Sequence, residues 1–409
     1  MTDTERPTAN TLHTRPQGEA AAGSLIVVSA VNLRKGGTLA ILRQCLHELS
    51  ALAQAGQWRV VALVHRRELC HYPGIEYIEL PWSSRSWGHR LWCEYVTMHG
   101  ISKRLGDIDL WLSLHDTTPR VRARCQAVYC HNSYPFFRWR WRHVWQNYRI
   151  VCFALFTRWF YRINLHRNRC VIVQQEWFRQ AFAQMFRLPQ NRIVVFPPTH
   201  APLQAPQAAI TPHAATPASE PVGAASAPFT FIYPAYPDVH KNMECVCQAA
   251  ELLERAIGTG RFRVLLTTAP DMNRYSRWLH RRWCHVDAVR FCGFVSRETL
   301  AGLYAQADAL LFASHVETWG LPISEFAPTG RPMLLADLPY AHESAAGACS
   351  VAFFHPDDPQ ALASLMRAAI QGDSNRFSPA PTMPINQPLA SNWPQLLSLI
   401  TSHANTSTW

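Results

Sequence analysis

The stretch Ala309-Leu-Leu-Phe-Ala-Ser314-His-Val-Glu317-Thr-Trp-Gly320-Leu321-Pro322-Ile-Ser-Glu325-Phe326 decides the fold. It opens with an unbroken apolar run, the pattern of a strand covered on both faces of a parallel sheet. Gly-Leu-Pro then ends the strand, and Pro322 suits the first position of a helix because its φ is already helical. The amides of Gly320 and Leu321 would open that helix, so the spacing predicts an anion site there. Two carboxylates eight residues apart flank it. Glu317 precedes the helix, and Glu325 is expected in its first turn, where the dipole keeps an acid ionised and able to grip hydroxyls. Read without a ligand, Glu325 is a helix-start acid and Glu317 a solvated loop residue.

The same strand–loop–helix rhythm continues in both directions. Apolar β-runs are expected at 25–30, 58–65, 75–81, 110–115, 127–132, 170–175 and 193–197, then at 229–233, 262–267, 289–294, 309–314, 332–337 and 351–356. Segments of 3.6 period, such as 39–52, 243–256, 297–307 and 359–370, separate most of them. This alternation predicts an α/β protein with two Rossmann-like parallel sheets facing across a deep cleft, ligands binding where loops leave the C-terminal strand ends. Residues 1–23 read as a disordered tail and 24–199 as the N-terminal Rossmann-like domain. An Ala/Pro-rich linker spans 200–228, the C-terminal Rossmann-like domain 229–376, and a Pro-rich tail with a short final helix 377–409.

Composition narrows the function. With 409 residues, 48% of them apolar and only 16% charged, the chain can bury the cores of two domains and is not disordered throughout. No run is apolar enough to span a bilayer, and the first two dozen residues lack the apolar core of a secretory signal. Twelve cysteines without a Cys-x-x-Cys pair fit a reducing cytoplasm better than a disulfide framework or structural zinc. The net charge of +11 is lopsided, +14 over residues 1–200 and −3 over 201–409. Lysine occurs only at Lys35, Lys103 and Lys241.

The Glu317-x(7)-Glu325 pair around Gly-Leu-Pro resembles the signature of retaining GT-B glycosyltransferases of the family 4, or group 1, type. Gly330-Arg-Pro-Met-Leu-Leu-Ala-Asp337-Leu-Pro339 and Gly293-Phe294-Val-Ser296 resemble that family too, over 229–371 and more weakly over 25–199. The resemblance implies that Glu325 holds the ribose of a nucleotide, Glu317 the donor sugar, and Gly320, Leu321 and Pro322 the diphosphate or sugar, with Phe294 also at the donor. His240-Lys241-Asn242 matches the family's phosphate-binding lysine, with His240 able to assist if protonated. The family's earlier arginine is replaced by Tyr233-Pro-Ala-Tyr236-Pro-Asp238. In the N-terminal half, Lys35-Gly36-Gly37 corresponds to a loop bordering acceptor and diphosphate. His131, expected at the end of a strand, matches a histidine near the reacting centre, and His115-Asp116 is the competing choice.

Glu317, His131 and Lys241 are therefore the expected catalytic residues. No metal and no cofactor beyond the nucleotide-sugar co-substrate are expected, because Lys241 and the helix start can carry the leaving charge. Asp107-x-Asp109, a manganese motif in another fold, sits at the wrong end of its strand.

From Thr117 to Gln175 there are eleven arginines and no acid. Within this segment Arg138-Trp139-Arg140-Trp141-Arg142 and the residues after it suit an anionic membrane surface. They also suit single-stranded nucleic acid, for which no further signature exists, or a core helix with solvated arginines. The resemblance as a whole implies a hexosyltransferase of bacterial surface-polysaccharide or O-antigen synthesis, similar to mannosyl- and rhamnosyltransferases. Its acceptor would be a lipid-linked glycan, and its place the cytoplasm, peripheral on the inner face of the membrane. The rival readings are another nucleotide-sugar enzyme of this fold, such as a 2-epimerase, and a non-catalytic membrane or nucleic-acid binder.

Overall fold

The computed structural model describes residues 24–198 and 227–402. The tail expected at 1–23 and nearly all of the linker expected at 200–228 lie outside the described residues. The first half runs β1 (Ser24–Ala30), α1 (Gly36–Gln54), β2 (Trp58–Val64), β3 (Ile75–Glu79), α2 (Trp87–Trp92), α3 (Met98–Leu105), β4 (Leu110–Ser113), β5 (Cys125–Tyr129), α4 (Trp141–Arg162), β6 (Cys170–Val173), α5 (Glu176–Phe186) and β7 (Ile193–Val195). The second runs β8 (Phe229–Tyr233), α6 (Met243–Ile257), β9 (Phe262–Leu266), α7 (Arg274–Trp283), β10 (Val289–Phe291), α8 (Arg297–Gln306), β11 (Ala309–Phe312), α9 (Leu321–Phe326), β12 (Met333–Ala336), α10 (Pro339–Ser344), β13 (Val351–Phe354), α11 (Pro359–Gln371) and α12 (Trp393–Ser402).

The strands form two sheets, in the orders β3-β2-β1-β4-β5-β6-β7 and β10-β9-β8-β11-β12-β13. The strand pairs described are parallel. Both sheets are thus of Rossmann type, and the architecture is GT-B. The central strands are mostly apolar because helices cover both faces, and β4, β5, β11 and β12 are buried at every residue, Ser113 and Gln126 included. By contacts the described chain divides into two compact units. One comprises the residues up to His131, Ile163–Ile172 and those from Ala390 on; the other comprises Asn132–Arg162 and Val173–Leu389. Helix α12 therefore belongs to the first unit, where Trp393 packs edge-on against Tyr129.

Strand order places the sites. In the second sheet the chain moves from β8 outward to β9 and β10, then returns to β11 on the other side of β8 and continues to β13. Loops leaving β8 and β11 consequently diverge and leave a crevice between them, the switch point at which such sheets bind ligands. The first sheet has the same switch between β1 and β4.

The two sheets also share a device. Asp109, just before β4, accepts the amide of Leu25 (2.8 Å) while its own amide donates to the Leu25 carbonyl (3.0 Å). Asp308, just before β11, does the same with Thr230 (2.7 and 2.8 Å). Each carboxylate thereby closes the open end of the first strand and fixes its register. Asp109 also pairs with Arg124 (3.0 Å), so the Asp107-x-Asp109 motif is occupied by strand closure. Charge-assisted bonds of this kind contribute about 1.5–3 kcal/mol. Asp308→Ala and Asp109→Ala are each expected to lower unfolding free energy by about that amount with an unchanged denaturant slope. Loss of less than about 0.5 kcal/mol in either variant would refute the clamp.

Candidate active site

Chain direction after β8 is set by Pro234 and Pro237, which cannot extend a strand. The segment turns at Val239–Lys241 and enters α6 through Asn242, whose φ of 52° lies in the left-handed region that asparagine tolerates. The buried side-chain amide of Asn242 donates to the carbonyls of Ala313 (3.2 Å) and Pro356 (2.6 Å), tying this turn to the ends of β11 and β13. The His315 amide donates to the His240 carbonyl (2.7 Å). The Tyr233 hydroxyl meets the Lys241 carbonyl and Ser314 Oγ (3.1 Å), and Tyr340 donates to the Ser314 carbonyl (2.7 Å).

Within this frame Lys241 Nζ lies 2.5 Å from Glu317 Oε1, and their side chains are only 18% and 13% exposed. Lys241 also stands 6.0 Å over the Phe312 ring. The structure thus brings together two of the expected catalytic residues, one from each loop at the β8/β11 switch point. A third charge, not anticipated from sequence, is Asp238. Burial pushes its carboxyl up to about 6, against the pull of Lys241, and the Tyr134 hydroxyl donates to it at 3.4 Å. Its spacing of three from Lys241 was the available signal, since the turn returns the chain on itself there.

Two expectations are corrected at this turn and helix. His240 is buried, and desolvation with Lys241 beside it holds the imidazole well below its usual range. Burial therefore disfavours the protonated form that a phosphate contact would need. Helix α9 has only six residues and begins at Leu321, with Gly320 as its left-handed N-cap (φ 83°). Pro322 is therefore the second helical residue and Glu325 the fifth, beyond the first turn. A six-residue helix has too small a dipole to offset burial, so the Glu325 carboxyl is raised rather than held down; Arg297 (3.5 Å) and the Tyr304 hydroxyl (3.2 Å) oppose the rise. The amides of Gly320 and Leu321 still open the helix without intrahelical acceptors. A Cβ on Gly320 would come within 3.2 Å of Ile323 and would have to adopt a strained backbone. Phe294, after the left-handed Gly293, is 81% exposed.

In the first unit, the loop expected at Lys35-Gly36-Gly37 is instead the start of α1: Lys35 is the exposed N-cap, Gly36 (φ 63°) and Gly37 open the helix three residues earlier than expected, and Thr38 Oγ1 donates to the Lys35 carbonyl (3.1 Å). Strand β5 ends at Tyr129, so His131 lies two residues beyond it; its amide donates to Asp116 Oδ1 (2.7 Å), and its ring meets Tyr129 edge-on at 5.0 Å. Asp116 thus has a structural task, and so does His115. That ring is fully buried among Ser29 Oγ (2.9 Å), Thr117 Oγ1 (3.0 Å) and Glu94 (3.4 Å).

Of the arginine-aromatic residues, Arg140 and Arg142 reach Asp357, Arg140 through both nitrogens (3.0 and 2.5 Å) and Arg142 at 3.5 Å. Trp139 is half-buried against the core, whereas Arg138 and Trp141 are exposed. Among the described residues no three His, Cys, Asp or Glu side chains gather to hold a metal ion.

Residues 229–371 match the family model described as Glycosyl transferases group 1. That stretch contains β8 to α11 and every residue of the Lys241–Glu317 arrangement except Tyr134. No curated protein matches the chain by sequence. Among solved structures, the chain is similar to sucrose-phosphate synthase from Thermosynechococcus elongatus, with 15% identity, a TM-score of 0.58, and 93% and 96% of the two chains covered. WaaG, a glycosyltransferase involved in lipopolysaccharide biosynthesis, gives 14% identity and a TM-score of 0.58 over 93% and 95%. Anabaena Alr3699/HepE in complex with UDP-glucose gives 14% and 0.56 over 93% and 98%. At these identities the likeness is one of fold.

The raised Glu325 carboxyl gives a signed expectation. Ionising it costs the folded state more than the unfolded one, a penalty present above the folded pKa and relieved as pH falls below the unfolded value. Glu325→Gln should therefore be at least as stable as the parent at neutral pH, with its advantage shrinking on acidification through the carboxylate range. Denaturant midpoints measured across that range check this; an advantage that grows towards acid would contradict it.

Proposed function

We propose that the chain is a glycosyltransferase that moves a hexose, of mannose or rhamnose type, from a nucleotide sugar to a lipid-linked or polysaccharide acceptor with retention of anomeric configuration. The reading rests on the Lys241–Glu317 pair at the β8/β11 switch point, within the stretch that matches group 1 glycosyl transferases. A donor brings a diphosphate to that crevice. The ammonium turns to it, and Glu317 is released to the hydroxyls of the sugar. The Gly320 and Leu321 amides meet the diphosphate, and Glu325, steadied by Tyr304 and Arg297, holds the ribose.

In the transition state the bond from the anomeric carbon to the phosphate oxygen breaks, and its electron pair stays on the diphosphate. Lys241 stabilises that developing charge, and the buried setting makes the interaction stronger than it would be in water. The acceptor hydroxyl forms the new bond on the same face, and its proton passes to the departing phosphate. Lys241 supplies the positive charge, so this reading includes no metal ion and no cofactor besides the co-substrate. His131 and the Lys35-Gly36-Gly37 loop are assigned to the reacting centre and acceptor. Bacterial O-antigen or other surface-polysaccharide synthesis on the cytoplasmic face of the membrane is the setting we assign. That WaaG acts in lipopolysaccharide biosynthesis and HepE is solved with UDP-glucose supports the choice of chemistry.

A thermal-shift panel of GDP-, UDP-, dTDP- and CMP-sugars should reveal the nucleotide, because a ligand of the folded state raises the melting temperature. With that donor, Lys241→Met should lower kcat/KM by about 10²–10³, the size found when a preorganised charge-stabilising group is removed. Glu317→Gln in the same background relieves the unpaired buried carboxylate and separates lost catalysis from lost stability. Normal transfer by Lys241→Met, or no response to any sugar nucleotide, would overturn the proposal. Conversion of the donor to its epimer without acceptor would transfer the chain to the epimerases.

A further inference from the structure

Helix α4 has two apolar faces. Val151, Ala154, Thr157 and Tyr161 turn inward with His143 and Gln146. Opposite them stand exposed aromatics: Trp141 (76%) and Trp145 (74%), four apart, before the kink at Asn147, and Tyr148 (52%), Phe156 (58%) and Trp159 (58%), eight and three apart, after it. The series persists on both sides of the non-helical residue Asn147. One face is what a helix on a globular core needs; the second is largely exposed among the described residues, with Trp141 resting edge-on against Trp139 at 5.8 Å. Single exposed apolar residues are ordinary, but a row of five aromatics is not.

Arginines border the row. Arg158 and Arg162 lie 5.8 and 5.4 Å from the Trp159 ring, and Arg149 lies 5.9 Å from Tyr148. Unlike Arg140 and Arg142, none of these three pairs with a carboxylate among the described residues. We propose that the exposed aromatic row of α4, with Arg149, Arg158 and Arg162, docks on an anionic phospholipid bilayer. Indole and phenol rings settle at headgroup depth, aliphatic and phenyl groups go deeper, and the guanidinium groups meet lipid phosphates.

Charge decides between this occupant and others. A second copy would bring the same arginines against themselves across a two-fold axis, with no acid anywhere between Thr117 and Gln175 to answer them. Single-stranded nucleic acid would use the rings, but not the apolar Leu155 and Ile163 exposed beside them. The inference deepens the reading of a lipid-borne acceptor and rests on it for purpose, while its test is separate.

The test is flotation of the full chain with vesicles of phosphatidylcholine alone or mixed with phosphatidylglycerol, at low and high salt. Flotation is expected on the anionic vesicles, weakened by salt. Arg149→Glu/Arg158→Glu/Arg162→Glu should weaken it by about a hundredfold, since each surface cation contributes about fivefold. Trp145→Ser/Phe156→Ser/Trp159→Ser should abolish it with the parent's melting temperature and sugar-nucleotide shift retained. That retained shift distinguishes failure of the surface from failure of the donor site. No flotation, equal flotation on neutral vesicles, variants that bind like the parent, capture of single-stranded RNA instead of vesicles, or a dimer abolished by the aromatic variant would each overturn the proposal.

Discussion

The loops that follow β8, β11 and β13 are held together by a buried amide. Asn242 sits where the turn after β8 becomes α6, and its two N–H groups bind carbonyls at the ends of β11 and β13. Three chain segments far apart in sequence are thereby fixed to one another at the mouth of the sheet. Glutamine would be a methylene too long, and most other side chains would resist the left-handed backbone the turn requires. With that amide in place the backbone at Lys241 is fixed beside the loop that carries Glu317, and the two side chains meet at 2.5 Å.

The charges in this frame are paired in a largely buried setting. A buried ion pair is a poor way to stabilise a fold, since apolar residues of the same volume often do as well. The pair here is embedded among groups that burial has kept uncharged, His240 and His315, the latter pushed down to about 4. Asp238, pushed up to about 6, adds a second carboxyl beside the ammonium. Besides burial, the like charges of Glu317 and Asp238 beside one lysine favour keeping Asp238 protonated, which is a second cause of its raised carboxyl.

The sheets were legible because a parallel strand buried on both faces writes itself as a continuous apolar run. All thirteen expected runs are strands, and eleven of them end earlier than expected, where the loops begin; β1 and β8 reach the expected end. The Lys241–Glu317 meeting was half legible: local motifs marked each residue, while their contact depends on β8 and β11 being neighbours, which follows from topology and not from either motif. Glu325 was misplaced by a single residue of helix start, because Gly320 rather than Leu321 caps α9. The bonds from Arg140 and Arg142 to Asp357 span more than two hundred residues, and no local pattern announces such a pairing. Asp116 and His115 looked like chemistry because both stand at a strand end, and only the hydrogen bonds around them show their structural employment.

The second apolar side of α4 belongs to a chain segment that also touches the Lys241 turn. Tyr134 and Phe137, in the segment leading into that helix, rest their rings on His240 at 4.9 and 6.2 Å. The segment that leads into the outer aromatic row thus packs directly on the residue next to Lys241.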